Sequence, residues 1–438
     1  MEVTKVGTII TVTFEDKNVQ FTASRIKQGG ETAEVIIKWS INHEDGSVQN
    51  DSLREHTRLL DSQAKRKLIE TLEERTGDVA PDKFNWGTLI SDGFMAIIDK
   101  HREGNAPVLM DNINFDAPRS YCIKPLFING VANLIWAKGG SSKSYFALLM
   151  CVLVDTGKKF FGLNAKKGKA LYLDWEEESD VFSQRLLAIQ KGLGFANPNK
   201  SGIIYKKMVG SLANNIEVIS KLVLEHNITF VVVDSVSPAL GGDSNSQQVV
   251  EEYFASLREL DITSLSIDHA NKSGETTGKF EIHGSSFKYA RARMVYELKK
   301  TQEANDNTVD VLWYHRKSND SKMRGAIGFR IHFKEIMKMN DIEEEYDTIL
   351  DTVKFEKLKL GDADNTLLKD SSLSEISYAL LETHGATMLD DLLSQITAIK
   401  EVNVQSSALE FAINNSKRLH ITADKKVGLV TEVKEWEG

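Results

Sequence analysis

The 438-residue chain is poor in cysteine and proline, with two of the first and six of the second. Cys122 and Cys151 do not share the spacing of a metal-binding pair, and two thiols cannot build a disulfide framework; a reducing, cytoplasmic setting fits best. No basic flank followed by a long apolar run opens the chain, so Met1–Thr11 does not read as a signal peptide. The longest unbroken apolar stretch, Tyr145–Val154, is far too short to span a bilayer, so no membrane partner is expected. Internal repeats and low-complexity tracts are missing as well. So is an excess of positive charge: 54 Lys and Arg against 63 Asp and Glu give a net −9. That argues against non-specific coating of nucleic acid, but leaves room for a ring or cleft that is basic inside and acidic outside. What remains is ordinary globular composition, 41% hydrophobic and 27% charged, enough for a large core in one to three domains.

Much of residues 1–60 alternates apolar and polar, as in Ile10-Thr11-Val12-Thr13-Phe14 and Val35-Ile36-Ile37-Lys38-Trp39, which predicts a small β-rich module. Residues 61–103 carry helical spacing over 62–76 and 85–103. Three of the six prolines, Pro107, Pro118 and Pro125, fall in 104–125, the clearest linker. From 126 to about 345, short apolar runs (Leu134–Trp136, Ala170–Leu173, Phe230–Val233, Leu265–Ile267) alternate with helical patterns. Runs of this kind suit strands buried on both faces, so an α/β fold is expected: a mostly parallel, doubly wound sheet with helices on both faces. Arg293–Thr301, Val309–Arg316 and Phe329–Phe333 look like an antiparallel extension of it. Residues 369–438 read as three helices and a hairpin, a winged-helix-like order.

The strand Leu134–Trp136 runs into Ala137-Lys138-Gly139-Gly140-Ser141-Ser142-Lys143-Ser144 and then a helix. A phosphate-binding loop needs inward backbone N–H groups and a sharp entry into a helix N-terminus. Its Lys, here Lys143, reaches the β- and γ-phosphates of ATP, and the following hydroxyl, Ser144, ligates Mg²⁺. Two positions depart from the usual Gly-x₄-Gly-Lys-Ser/Thr pattern. Ala137 replaces the first Gly, and Ser142 replaces the second, where a Cβ crowds the nucleotide or strains the loop. The plain alternative is a Gly/Ser turn that caps a helix.

Three more strands end in polar residues on their carboxyl side, where open α/β sheets bind ligands. Asp234, after Phe230–Val233, has the character of a Walker-B carboxylate that helps to hold Mg²⁺, or else caps the next turn. Glu176 and Glu177, after Ala170–Asp174, are candidates for the general base that polarises the attacking water, or else an acidic helix start. His269, after Leu265–Asp268, is a candidate γ-phosphate sensor, or simply a polar residue at a strand end.

Taken together, Pro125–Gly130, Leu134–Ser144, "FFGLNAKKGKALYLDWEEE" (160–178), Arg185-Leu186, "ITFVVVDSVSPALGG" (228–242), "LSIDHANKSG" (265–274), "HGSSFKYARARMVYELKK" (283–300) and "HRKSN" (315–319) resemble the RepA-like hexameric helicases, within the wider RecA and DnaB-type ATPases. The resemblance covers roughly residues 120–335. It implies a RecA-like core, a homo-oligomer that is usually a six-membered ring, and ATP bound between subunits. By position it implies phosphate and Mg²⁺ binding at Lys143 and Ser144, a catalytic glutamate at Glu176, a Walker-B carboxylate at Asp234 and a sensor at His269. Arg316 or Lys317, with Arg324 as a further candidate, would supply a charged finger to the neighbouring subunit's ATP; the alternative is a solvated hairpin tip.

Residues 268–300 hold seven Lys or Arg against four acids. The resemblance makes the loops 241–248 and 271–284 candidates to line a channel for single-stranded DNA or RNA. There Lys272, Lys279 and Lys288 would contact phosphates and Phe280 would stack on a base; the alternative is a surface loop with incidental lysines. Residues 369–438 hold seven Lys or Arg against eleven acids. That balance leaves DNA contact and docking of a protein partner as equal roles for the winged-helix-like part. Two function classes follow: an ATP-driven nucleic-acid motor, or a nucleotide-gated regulator that turns over slowly because of Ser142. A KaiC-like or recombinase-like ATPase on the same fold is a third.

Overall fold

A computed structural model of the chain describes residues 1–6, 9–24, 26, 32–43, 45–77, 83–103, 119–271, 282–284, 286–301, 306–340, 345–369 and 371–430. It divides into two compact units, 1–118 with 214–226, and 119–213 with 227–438.

The first unit contains an antiparallel meander of five strands in sequence order: β1 (Glu2–Val6), β2 (Ile9–Phe14), β3 (Val19–Ser24), β4 (Thr32–Asn42) and β5 (Val48–Arg58). Alternation decides its faces. In β4 the buried set is Ala33, Val35, Ile37, Trp39 and Ile41, which the period of two puts on one side. Two helices share that core, α1 (Ser62–Thr76) and α2 (Trp86–Glu103). Asp61 caps α1 by accepting from Gln63 N and Ala64 N at 2.9 Å, satisfying donors that a helix start leaves open. Trp86 of α2 meets Trp39 edge-on at 5.7 Å. This is the expected N-terminal β-rich module with its helices.

The second unit begins inside the expected linker, because Tyr121–Lys124 is already a strand, β6. The chain continues through β7 (Phe127–Ile128), β8 (Ala132–Ala137), α3 (Lys143–Thr156), β9 (Lys159–Phe160), β10 (Leu163–Ala165), β11 (Ala170–Asp174), α4 (Ser179–Gly192) and β12 (Ile204–Lys207). It then forms β13 (Phe230–Asp234), β14 (Thr263–His269), β15 (Met294–Thr301), β16 (Thr308–Ser318), β17 (Ile327–Asn340) and β18 (Glu345–Leu358). Nine of these strands make one sheet in the order β12-β11-β13-β14-β8-β15-β16-β17-β18. The first six are parallel neighbours and the last three are antiparallel. This is the RecA-like, mostly parallel α/β sheet with helices on both faces that the sequence predicts, with an antiparallel extension one strand longer than expected.

The apolar run Tyr145–Val154 forms the body of α3, with Phe146–Val154 all buried; a helix apolar on every side belongs inside a core. Phe146 anchors it, with ring centroids 5.0 Å from Trp313 and 5.2 Å from Phe329. Burying each such ring contributes about 1.5–3 kcal/mol.

Residues 371–430 form helices Leu373–His384, Leu389–Lys400 and Ser406–Asn414 and a small antiparallel sheet, with strand Lys426–Leu429 between Thr387–Met388 and Leu419–Ile421. They share a core with Leu312, Tyr314 and Leu358 of the large sheet. Tyr314 Oη donates to Leu367 O, and Ala326 N donates to Glu375 Oε1 at 2.9 Å.

Candidate functional site

Strand order brings distant residues together. β14 lies between β8 and β13, and β11 lies on the far side of β13. The register sets Asp174 beside Asp234 and His269 beside Ala137. The carboxyl ends of four parallel strands therefore open on one cleft of about 450 Å³, lined among others by Gly140, Lys143, Ser144, Glu176, Asp234 and His269.

Each side chain is held by a neighbour. Ala137 is buried at the end of β8, while Lys138, Gly139 and Gly140 are exposed and Ser141 is buried. Gly140 has φ +67°, and Ser142 also sits in the left-handed region, φ +60° and ψ +21°. The strain expected of a Cβ at Ser142 is thus real, and it lies in the backbone conformation. Lys143 is buried at the start of α3 and donates to Ala137 O at 3.3 Å and Lys138 O at 3.0 Å. Its ammonium lies 3.5 Å from His269 Nδ1. Burial lowers the Lys143 pKa, opposed by Asp234, Glu176 and Asp268. Asp234 is buried and accepts from Tyr172 Oη at 2.6 Å and from Ser144. Burial pushes its carboxyl up to about 6, against those two hydrogen bonds.

The three glutamates after β11 part company. Asp174 Oδ1 accepts from Glu176 N at 2.9 Å and Glu177 N at 3.0 Å, which shapes the turn. Glu177 pairs with Arg185 and Glu178 with Lys207. Glu176 turns to Ser235 Oγ and to His269 Nε2, the latter at 3.3 Å, and the His269 hydrogen bond holds its pKa below the usual range. One imidazole thus touches both the lysine of the phosphate loop and the glutamate. Ser144 and Asp234 offer adjacent oxygens, a set that suits Mg²⁺, which takes few protein ligands and keeps phosphates and water for the rest.

Other expected residues stand elsewhere. Lys288 is not available to nucleic acid: its ammonium is fully buried, 2.9 Å from buried Asp268 and 2.8 Å from His283 O. A lysine after a Gly/Ser-rich stretch reads as solvated, and only the fold reveals the acid that draws it in. Lys272, Lys279 and Phe280 lie outside the described residues. Arg316 is bound by Glu297 Oε2 at 2.7 Å through Nε and stacks over Tyr314. Lys317 donates to three carbonyls, Tyr289, Ala290 and Ala292, at 2.7–2.8 Å, closing the end of the short helix Phe287–Arg291. That commitment removes Lys317 as a finger. Arg324 is exposed on the hairpin between β16 and β17. Sequence reading missed Tyr172 and Ser235, which orient the two carboxylates, and Tyr145, Lys300 and Phe333, which line the outer cleft. Tyr172 alternates within a known strand and was open to detection; the others depend on strand order.

Residues 102–275 match the AAA domain family. No curated protein sequence matches the chain. Among solved structures, a KaiC-like protein from the archaeon Pyrococcus horikoshii OT3 aligns at 14% identity and TM-score 0.35, over 53% of this chain and 98% of that one. The ATPase domain of a DnaB-like helicase aligns at 15% identity and TM-score 0.35, over 46% of this chain and 81% of that one. No helix among the described residues is long and apolar enough to cross a membrane.

Proposed function

We propose that the chain is an ATPase that drives a motor on single-stranded nucleic acid, a RepA-like helicase or translocase that hydrolyses ATP at the interfaces of a homo-oligomeric ring. The observation that carries this reading is the convergence of Lys143, Ser144, Glu176, Asp234 and His269 on one cleft at the ends of β8, β11, β13 and β14. The AAA domain match over the same segment supports its ATPase part. Lys143 binds the β- and γ-phosphates, and Ser144 and Asp234 hold Mg²⁺, which neutralises phosphate charge when bound. Glu176, kept ionised by His269, orients and deprotonates the attacking water. His269 joins phosphate clamp to base and so reports the state of the γ-phosphate. Arg324, being exposed, is the finger that the geometry favours for a neighbouring subunit; Arg316 serves only if it leaves Glu297. Lys272, Lys279 and Phe280 are the proposed contacts to the strand, and residues 371–430 are a winged-helix-like module for DNA or a protein partner.

The test is ATP turnover with and without single-stranded DNA. A motor is stimulated several-fold, and Lys143→Ala abolishes turnover. Binding of ATP with turnover indifferent to DNA favours the second reading, a slow nucleotide-gated regulator, which the left-handed Ser142 supports. No binding of any nucleoside triphosphate sinks both.

A further inference from the structure

At the opposite ends of β8 and β14 from the phosphate loop lie two adjoining hollows, of about 550 and 170 Å³, which share Gly130, Asp261 and Ile262. Exposed Arg258, Arg291 and Arg293 line the larger, and exposed Lys166 and Lys167 the smaller. Arg291 pairs with Glu251, and Arg293 stands 3.9 Å from Asp320. Arg258, Lys166 and Lys167 form no ion pair among the described residues. Five cations thus meet three carboxylates in a chain of net charge −9, with half-buried Val131 and Ile262 between them. Arginines around a small apolar floor suit a peptide that carries carboxylates beside an apolar anchor. Neither the nucleotide cleft nor the proposed motor uses this surface.

The sequence itself contains such a peptide. Residues 431–437 read Thr-Glu-Val-Lys-Glu-Trp-Glu, three acids to one base around Val433 and Trp436. We propose that this segment docks in the basic hollow at the feet of β8 and β14. Glu435 and Glu437 pair with Arg258 and Arg293, and Trp436 covers Val131 and Ile262. Trp supplies the largest apolar contact of any side chain at small cost in rotamer freedom.

Hydrogen exchange of the full chain tests this. Glu435→Lys/Glu437→Lys should speed exchange of amides 254–262 by about 5-fold or more, as loss of local protection does. Arg258→Glu/Arg293→Glu should speed exchange of 431–437, and combining both pairs of reversals should restore slow exchange. All four positions are exposed or outside the core, and thermal unfolding checks that the fold is kept. If the arginine variant unfolds, the glutamate variant alone decides. Synthetic peptide of residues 431–437, added in excess to the glutamate variant, should also restore protection. Unchanged exchange at 254–262 in the glutamate variant overturns the proposal. So does equal rescue by a scrambled peptide of the same composition, which would make the hollow a general sink for acids.

Discussion

At the scale of single residues, Ser142 is a side chain where the loop's backbone asks for none. A non-glycine residue in the left-handed region costs about 1–2 kcal/mol, partly offset because glycine also loosens the unfolded chain. Ser142→Gly should therefore raise the urea midpoint, by about 1 kcal/mol of unfolding free energy; a lower midpoint would show that the Ser hydroxyl compensates the strain. Glu176→Gln keeps the shape and removes the base. Turnover should fall by about 10²–10⁴ while ATP affinity, measured by calorimetry, stays within a few-fold. Lys288→Met strands the buried Asp268 carboxylate, and leaving one member of a buried pair uncompensated costs about 3–5 kcal/mol. Chemical denaturation should show that loss, and Asp268→Leu in the same chain should recover most of it. The loop lysine, the Walker-B aspartate and the sensor histidine were all legible in the sequence, because each follows an apolar run that must be a strand. The fate of Lys288, Arg316 and Lys317 was not. Their partners Asp268, Glu297 and the carbonyls of 289–292 become neighbours only when β14, β15 and β16 lie side by side.

At the scale of elements, the parallel strands were easy to see and the last antiparallel one was not. β13 is buried along its whole length, so its sequence is one apolar word. β18 closes the edge of the sheet and buries mainly Val353, Phe355 and Leu358 among charged neighbours. Only the alternation of Val353 and Phe355 hints at a strand. Its packing against α4 turns on one position. A Cβ on Gly192 would fall 1.9 Å from Val353 O, far inside any real contact, and the obstacle is backbone. Gly192→Ala must push α4 off β18 or bend the edge. Thermal unfolding should drop by the equivalent of about 1–3 kcal/mol or more, the usual cost of overpacking. A neutral result would mean that the helix end is free to slide.

At the scale of the whole molecule, the ring is the part of the proposal that one chain cannot supply. Mass measurement should show an ATP-dependent shift to a higher oligomer, and Arg324→Ala should leave assembly intact while reducing turnover by about 10³-fold or more, as loss of a finger does. A chain that stays monomeric with ATP at every concentration would remove any role for a finger from a neighbour. The two-module outline around a central α/β body was readable from the proline-rich stretch and from the change of period after it. The joint between the large sheet and residues 371–430 was not readable, since Leu312, Tyr314 and Leu358 look like any other strand residues.

That joint constrains how the protein can be taken apart. Leu312, Tyr314 and Leu358 are buried in a core they share with the C-terminal helices, and Tyr314 and Ala326 reach across for hydrogen bonds. Cutting after Lys359 would not free a minimal catalytic body. It would lay bare an oily flank on β16 and β18 and strand a tyrosine hydroxyl, so the shortened protein should clump, and its silence in any assay would say nothing about what the missing piece recognises.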